Sequence, residues 1–103
     1  MFYVFHQNNS FGTFERKFGF ACFVEAASPE EANRRAEEFG IYFDGVKNDK
    51  DCPCCGDRFS RAREVFLDLA AVRIEMQVWA DSAQHYDLPF VVLFDSSVQE
   101  FFV

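Results

Sequence analysis

Cys52-Pro53-Cys54-Cys55 places three thiols within four residues, with Asp51 on one side and Gly56-Asp57-Arg58 on the other. Thiolates are favoured zinc ligands, and a structural zinc takes four donors in a tetrahedron. Cys52 and Cys55 have the C-x2-C spacing of a zinc knuckle, and Gly56 would let the turn tighten until backbone amides face the sulfurs. A complete zinc ribbon carries a second C-x2-C or an H-x3-H, and this chain has neither. The set must be completed by Cys54, by a distant residue such as His6, His85 or Cys22, or by a second chain. The predicted metal ligands are Cys52, Cys54, Cys55 and His6, with zinc as the ion. Two other readings stay open. The cysteines are equally well explained as reduced thiols that close a turn. A C-x-x-C redox dithiol ranks below both, because Asp44, Asp49, Asp51 and Asp57 should raise thiol pKa values, whereas redox sites lower them.

A second group of polar residues could hold a ligand or a partner. Gln7, Asn8 and Asn9 follow an apolar run, and Asp57 and Arg58 follow the cysteines. One arginine beside several amides can hold a phosphate, although turn formation also accounts for Gln7-Asn8-Asn9. Cys22, between Ala21 and Phe23, reads as a small core residue. No Ser-His-Asp order, phosphate-binding glycine loop or H-E-x-x-H motif is present, so no enzyme class is indicated.

These residues must be positioned by the elements around them. Residues 2–6 read as a strand, 7–12 as a polar turn, and 14–25 as a second strand that would pair with the first. The second strand is apolar on both faces, so it should be central. Ser28-Pro29-Glu30-Glu31 is a helix start, and Gly40 suits a left-handed stop, predicting a helix over 29–39. Glu30–Arg34 and Glu31–Arg35 have the spacing of surface ion pairs. Ile41 to Gly45 reads as a short extended piece and 46–58 as irregular. Residues 62–80 fit one long helix, but a short strand Val65-Phe66-Leu67 with Asp68 capping a helix from about 69 to 80 is preferred. Strands at 90–94 and 98–102 close the chain as a hairpin. The predicted fold is α+β: a four-stranded, mainly antiparallel sheet with two helices on one face and an irregular cysteine-bearing loop.

With 103 residues, the chain has the size of a single domain, and 15 Phe give it a core of large rings. The formal charge of −7 argues against direct binding of nucleic acid or an anionic membrane. Residues 81–103 hold Asp81, Asp87, Asp95 and Glu100 and no Lys or Arg, which suits a basic protein partner or simple solubility. No apolar run is long enough to cross a bilayer, and Met1 to His6 lacks the features of a signal peptide. The expectation is a cytoplasmic chain with reduced thiols.

Phe2-Tyr3-Val4-Phe5 followed by Gln7-Asn8-Asn9-Ser10 resembles the opening of a group of small uncharacterised proteins encoded by bacteriophages. Val24-Glu25-Ala26 through Gly40-Ile41-Tyr42-Phe43-Asp44-Gly45, and Asp51-Cys52-Pro53-Cys54-Cys55-Gly56-Asp57-Arg58, are similar too. The likeness covers roughly the first three fifths of the chain. It departs at Phe11-Gly12, where a Gly-Gly pair is expected, and at Phe59, where Trp is expected. The resemblance implies a phage accessory protein acting in the host cytoplasm, with no enzymatic activity. The leading expectation is binding and inhibition of a host bacterial protein, such as a component of an anti-phage defence system. One alternative is an oligomer, a homodimer or larger, that sequesters a nucleotide-like signalling molecule. The other is a thiol- or metal-dependent enzyme using the cysteine cluster.

Overall fold

The structure, a computed structural model, describes residues 1–8, 15–82 and 88–102. Strand β1 (Phe2–His6) pairs antiparallel with β2 (Ala21–Glu25), in register from Phe2↔Glu25 to His6↔Ala21. The second strand is shorter than its sequence suggests. Arg16–Phe18 forms a single 3-10 turn, and Gly19 follows at φ 69. A Cβ on Gly19 would lie 2.5 Å from the Pro89 carbonyl oxygen, and the next amide, Phe20, donates to that oxygen at 2.8 Å. Close approach to a later segment therefore ends the pairing that local alternation predicted.

Helix α1 (Pro29–Phe39) matches its expected span. The Ser28 hydroxyl accepts from the Glu31 amide at 3.1 Å, Pro29 opens the first turn, and Gly40 at φ 113 closes the last. The charged residues pair otherwise than expected. Arg34 reaches Glu38 at 3.1 Å. Arg35 turns inward and donates to the backbone carbonyls of Glu25 and Phe94, tying the ends of two strands together. Ile41 to Gly45 does not form a strand; Ile41 and Phe43 are buried singly, and Asp44 takes a positive φ of 57.

The short strand β3 (Val65–Phe66) pairs antiparallel with β1, through Phe2↔Phe66 and Tyr3↔Val65. Helix α2 (Leu69–Ser82) starts where Asp68 accepts the Ala71 amide at 2.9 Å, as the preferred reading predicted. No helix among the described residues is long and apolar enough to cross a membrane. Strand β4 (Phe90–Leu93) then lies parallel to β2, with Cys22↔Val91 and Val24↔Leu93 in register, and β5 (Val98–Phe101) turns back antiparallel.

The sheet is thus five-stranded and mixed, in the order β3-β1-β2-β4-β5, and corrects the expectation of four mainly antiparallel strands. A two-residue edge strand accounts for the fifth member. The parallel contact arises because β4 returns beside β2 after a long crossover, and its Phe-Val-Val-Leu run is buried throughout, as a central parallel strand requires.

The helices also occupy opposite faces. Tyr3, Phe5, Cys22, Val24, Val91 and Leu93 pack with Ala32 and Ala36 of α1 on one side. Phe2, Val4, Ala21, Phe23, Phe90 and Val92 pack with Val72 and Met76 of α2 on the other. Three central strands apolar on both sides need a cover on each side, so a one-faced arrangement would leave half of that surface wet.

Phe23 lies in the middle of this sheet, fully buried and edge-on to Phe66 at 5.7 Å. Phe23→Ala should lower the unfolding free energy in urea by about 3–5 kcal/mol. Ile74→Ala, on the exposed side of α2, should change it by less than about 0.5 kcal/mol. Equal effects at the two sites would contradict this placement of the core.

Candidate metal centre and the loop that carries it

The segment between α1 and β3 lacks regular structure, and a buried carboxylate organises it. Asp51 accepts from the Tyr42 hydroxyl at 2.7 Å on one oxygen and from the Arg58 amide at 2.8 Å on the other. Gly45 is needed here, because a Cβ at that position would fall 1.8 Å from an Asp51 oxygen. The Gly45 carbonyl also accepts the amides of Lys50 and Asp51, and Asp57 accepts the Val46 amide at 2.9 Å. The Tyr42 phenol is held above its usual pKa, by burial first and then by the Asp51 hydrogen bond, with Arg58 pulling the other way.

Two residues at the end of β1 lock the loop to the sheet. Gln7 donates to the carbonyls of Glu15 and Gly19 at 2.7 and 2.8 Å, and its own carbonyl accepts from the Glu15 amide and from Arg58. The Asn8 amide donates to the Arg58 carbonyl at 2.7 Å, and its side chain caps the carbonyl of Cys55. Gln7 and Arg58, proposed from sequence as ligand contacts, are buried and bond inside the chain. They hold the loop and do not line a surface. Asn8 and Asp57 are exposed, and Asn9 lies outside the described residues.

On this base sits the cysteine turn. The Cys52 carbonyl accepts the amides of Cys55 and Gly56 at 3.1 Å each, and Gly56 adopts φ 83. The sulfurs of Cys52, Cys54 and Cys55 all lie within 4.8 Å of one another, and those of Cys54 and Cys55 are 3.6 Å apart. The three residues are therefore close enough to hold a metal ion. All three are free thiols; Cys52 is half-buried, and Cys54 and Cys55 are exposed. For Cys52 and Cys54 the neighbouring sulfurs dominate the acidity. A hydrogen bond from Cys54, helped by the backbone amides of Cys54 and Cys55, holds the Cys52 thiol below its usual pKa. Hydrogen bonds with the Cys52 and then the Cys55 thiol push Cys54 up to about 11. The carboxylates expected to raise these values act elsewhere, Asp51 on Tyr42 and Asp44 on Arg61 at 2.7 Å.

His6 is placed apart from the sulfurs: no histidine belongs to their ligand group among the described residues. Its ring lies 5.2 Å from that of Trp79. It lines a cleft of about 200 Å³ with Val4, Ser60, Arg61, Arg63 and Glu64. Cys22 is fully buried beneath α1, and burial pushes its thiol up to about 12, consistent with a core role. Two features escaped the sequence reading. Tyr42, the partner of Asp51, carries no local signal. The outward face of α2 did carry one, in the four-residue spacing of Ile74 and Val78.

The chain belongs to the family described as Domain of unknown function (DUF7296), whose model matches residues 1–92. That span includes both helices and the cysteine loop and ends within β4. No curated protein and no solved structure matches the chain.

Two measurements test this description. Asp51→Ala leaves a phenol and a buried amide without their acceptor, and should lower stability by about 2–4 kcal/mol; a loss under about 0.5 kcal/mol would show that the carboxylate does not organise the loop. Burial holds the His6 imidazole below its usual 6.5, against the raising influence of Glu64 and Glu75. The unfolded chain then binds the extra proton first, so this contribution is intact above 6.5 and declines as pH falls toward the folded value. His6→Gln should flatten that part of the stability profile, and an unchanged slope would assign it to other groups.

Proposed function

We propose, on the resemblance of the chain's motifs to those of small bacteriophage proteins, that it is a phage-encoded accessory protein that binds and inhibits a host bacterial protein in the host cytoplasm. A component of an anti-phage defence system is the first candidate. The observation that carries the binding role is the two-sided character of α2. Val72 and Met76 face the core, whereas Ile74 is 67% and Val78 53% exposed on the opposite side, and Leu67, just before the helix, is 77% exposed. A helix apolar on opposite sides suits a position between two packed layers. Here the sheet supplies one, and a partner would supply the other. The same stretch exposes charges of both signs, Glu64, Asp68 and Asp81 with Arg61, Arg63 and Arg73, so the matching surface is an apolar patch with a polar rim of mixed charge.

A second reading concerns the cysteine turn, and its support is the convergence of three sulfurs. Zinc, borderline-soft and content with thiolate, is the ion that suits them. It would stiffen the loop and need have no catalytic part.

The binding role is tested by quantitative capture from host lysate, comparing the wild-type chain with Ile74→Asp. A charge placed in an apolar contact should reduce recovery of the partner at least about tenfold, with circular dichroism unchanged because Ile74 lies outside the core. Undiminished recovery by the variant would sink the proposal. Loss of a self-associated species in sedimentation, with no host protein involved, would reassign the face to a homodimer.

A further inference from the structure

We infer that Cys52 and Cys55 form a reversible disulfide across the cysteine turn, made by exchange with a small-molecule disulfide such as oxidised glutathione, while Cys54 keeps its thiol. The inference goes beyond the zinc reading and does not rest on it. Sulfurs that would hold an ion as thiolates are here joined to each other instead.

Backbone geometry selects the pair. The Cys55 amide donates to the Cys52 carbonyl at 3.1 Å, which closes a four-residue turn over Cys52-Pro53-Cys54-Cys55. Such a turn brings the Cα atoms of its first and last residues within about 7 Å, and disulfides span about 4.4–6.8 Å between Cα atoms. Pro53 stands second in the turn, where its fixed φ suits the conformation before any sulfur bond forms. The sulfurs of Cys52 and Cys55 lie within 4.8 Å of each other, so both side chains leave the turn on the same side. Closing that gap to an S–S length of about 2.0 Å asks for side-chain rotation and not for a new backbone.

The other pairings fit less well. Cys54 and Cys55 have sulfurs 3.6 Å apart, but the peptide between them is trans. It holds their Cα atoms about 3.8 Å apart, below the disulfide range, and their bond would close a ring around that planar unit. A Cys52–Cys54 bond would close a smaller ring than Cys52–Cys55, with the stiff Pro53 inside it. Asp44, Asp51 and Asp57 count against a dithiol when read from sequence alone. In the structure they are engaged with Arg61, with Tyr42 and the Arg58 amide, and with the Val46 amide.

Cys55 is exposed and Cys52 half-buried, so an incoming disulfide meets Cys55 first. The Cys55 thiolate attacks one sulfur of the small disulfide; that S–S bond breaks, one small thiolate leaves, and a mixed disulfide forms. The Cys52 thiolate then attacks the Cys55 sulfur, which makes the Cys52–Cys55 bond and releases the second small thiol. Two electrons pass from the two cysteines to the small disulfide, and the two cysteine protons end on the two released thiols. The backbone beneath is held by Asn8 and Asp51 through bonds that involve no sulfur, so the turn keeps its place in both states.

The test uses the full chain, stripped of metal by a chelator, equilibrated in glutathione buffers of graded oxidation, then denatured and alkylated. On the oxidised side the alkylatable thiols should fall from four to two, the mass should drop by two hydrogens, and peptide mapping should join Cys52 to Cys55. Dithiothreitol should restore all four. Cys54→Ser should keep the bond, whereas Cys52→Ser and Cys55→Ser should abolish it. Four thiols surviving in fully oxidised glutathione would overturn the inference. So would a glutathione adduct that never resolves into an internal bond, a bond mapped to Cys54, or one that links two chains. Zinc added before the oxidant should block the bond if the zinc reading holds. A bond that forms as fast with zinc as without it would sink the zinc reading alone and leave this inference standing.

Discussion

The Asp51 carboxylate lies out of water with a phenol on one oxygen and a backbone amide on the other. A buried charge persists only where hydrogen bonds replace its hydration, and both oxygens here are supplied. From that point the loop between α1 and β3 can be traced outward. Gly45 leaves room for the carboxylate, Tyr42 and Arg58 close over it, and Gln7 and Asn8 fasten the assembly to the end of β1. The cysteine turn is the outermost part of this structure. Its sulfurs converge because the backbone beneath them is held by bonds that do not involve sulfur.

The sheet imposes a second constraint. β1, β2 and β4 bury side chains on both faces, so each face needs its own cover. α1 meets this with Ala32 and Ala36, whose small side chains let the helix lie close to the strands. α2 meets it with Val72 and Met76 and then presents Ile74 and Val78 outward. The inward apolar residues follow from the sheet. The outward ones do not, and the proposed binding role rests on this asymmetry.

The cysteine turn and the proposed binding face are therefore built on different physics. The turn offers soft, directional donors whose value depends on an ion, and α2 offers apolar area whose value depends on a partner's shape.

Local chemistry in the sequence was sufficient for α1, because Ser28, Pro29 and Gly40 act on atoms within one turn of themselves. It was sufficient for β1, for the start of α2 at Asp68, for the closing hairpin and for the proximity of three cysteines on one turn. Contacts distant in sequence decided the rest. Gly19 meets Pro89 and cuts β2 short, β4 lies parallel to β2, and the helices separate to opposite faces. Gln7 and Arg58 read as surface ligands because polarity alone cannot say whether water or a neighbouring chain segment satisfies a polar group. Folding answered that by setting Gln7 against Glu15 and Gly19, and Arg58 against Gln7 and Asp51, partners at separations no local pattern encodes.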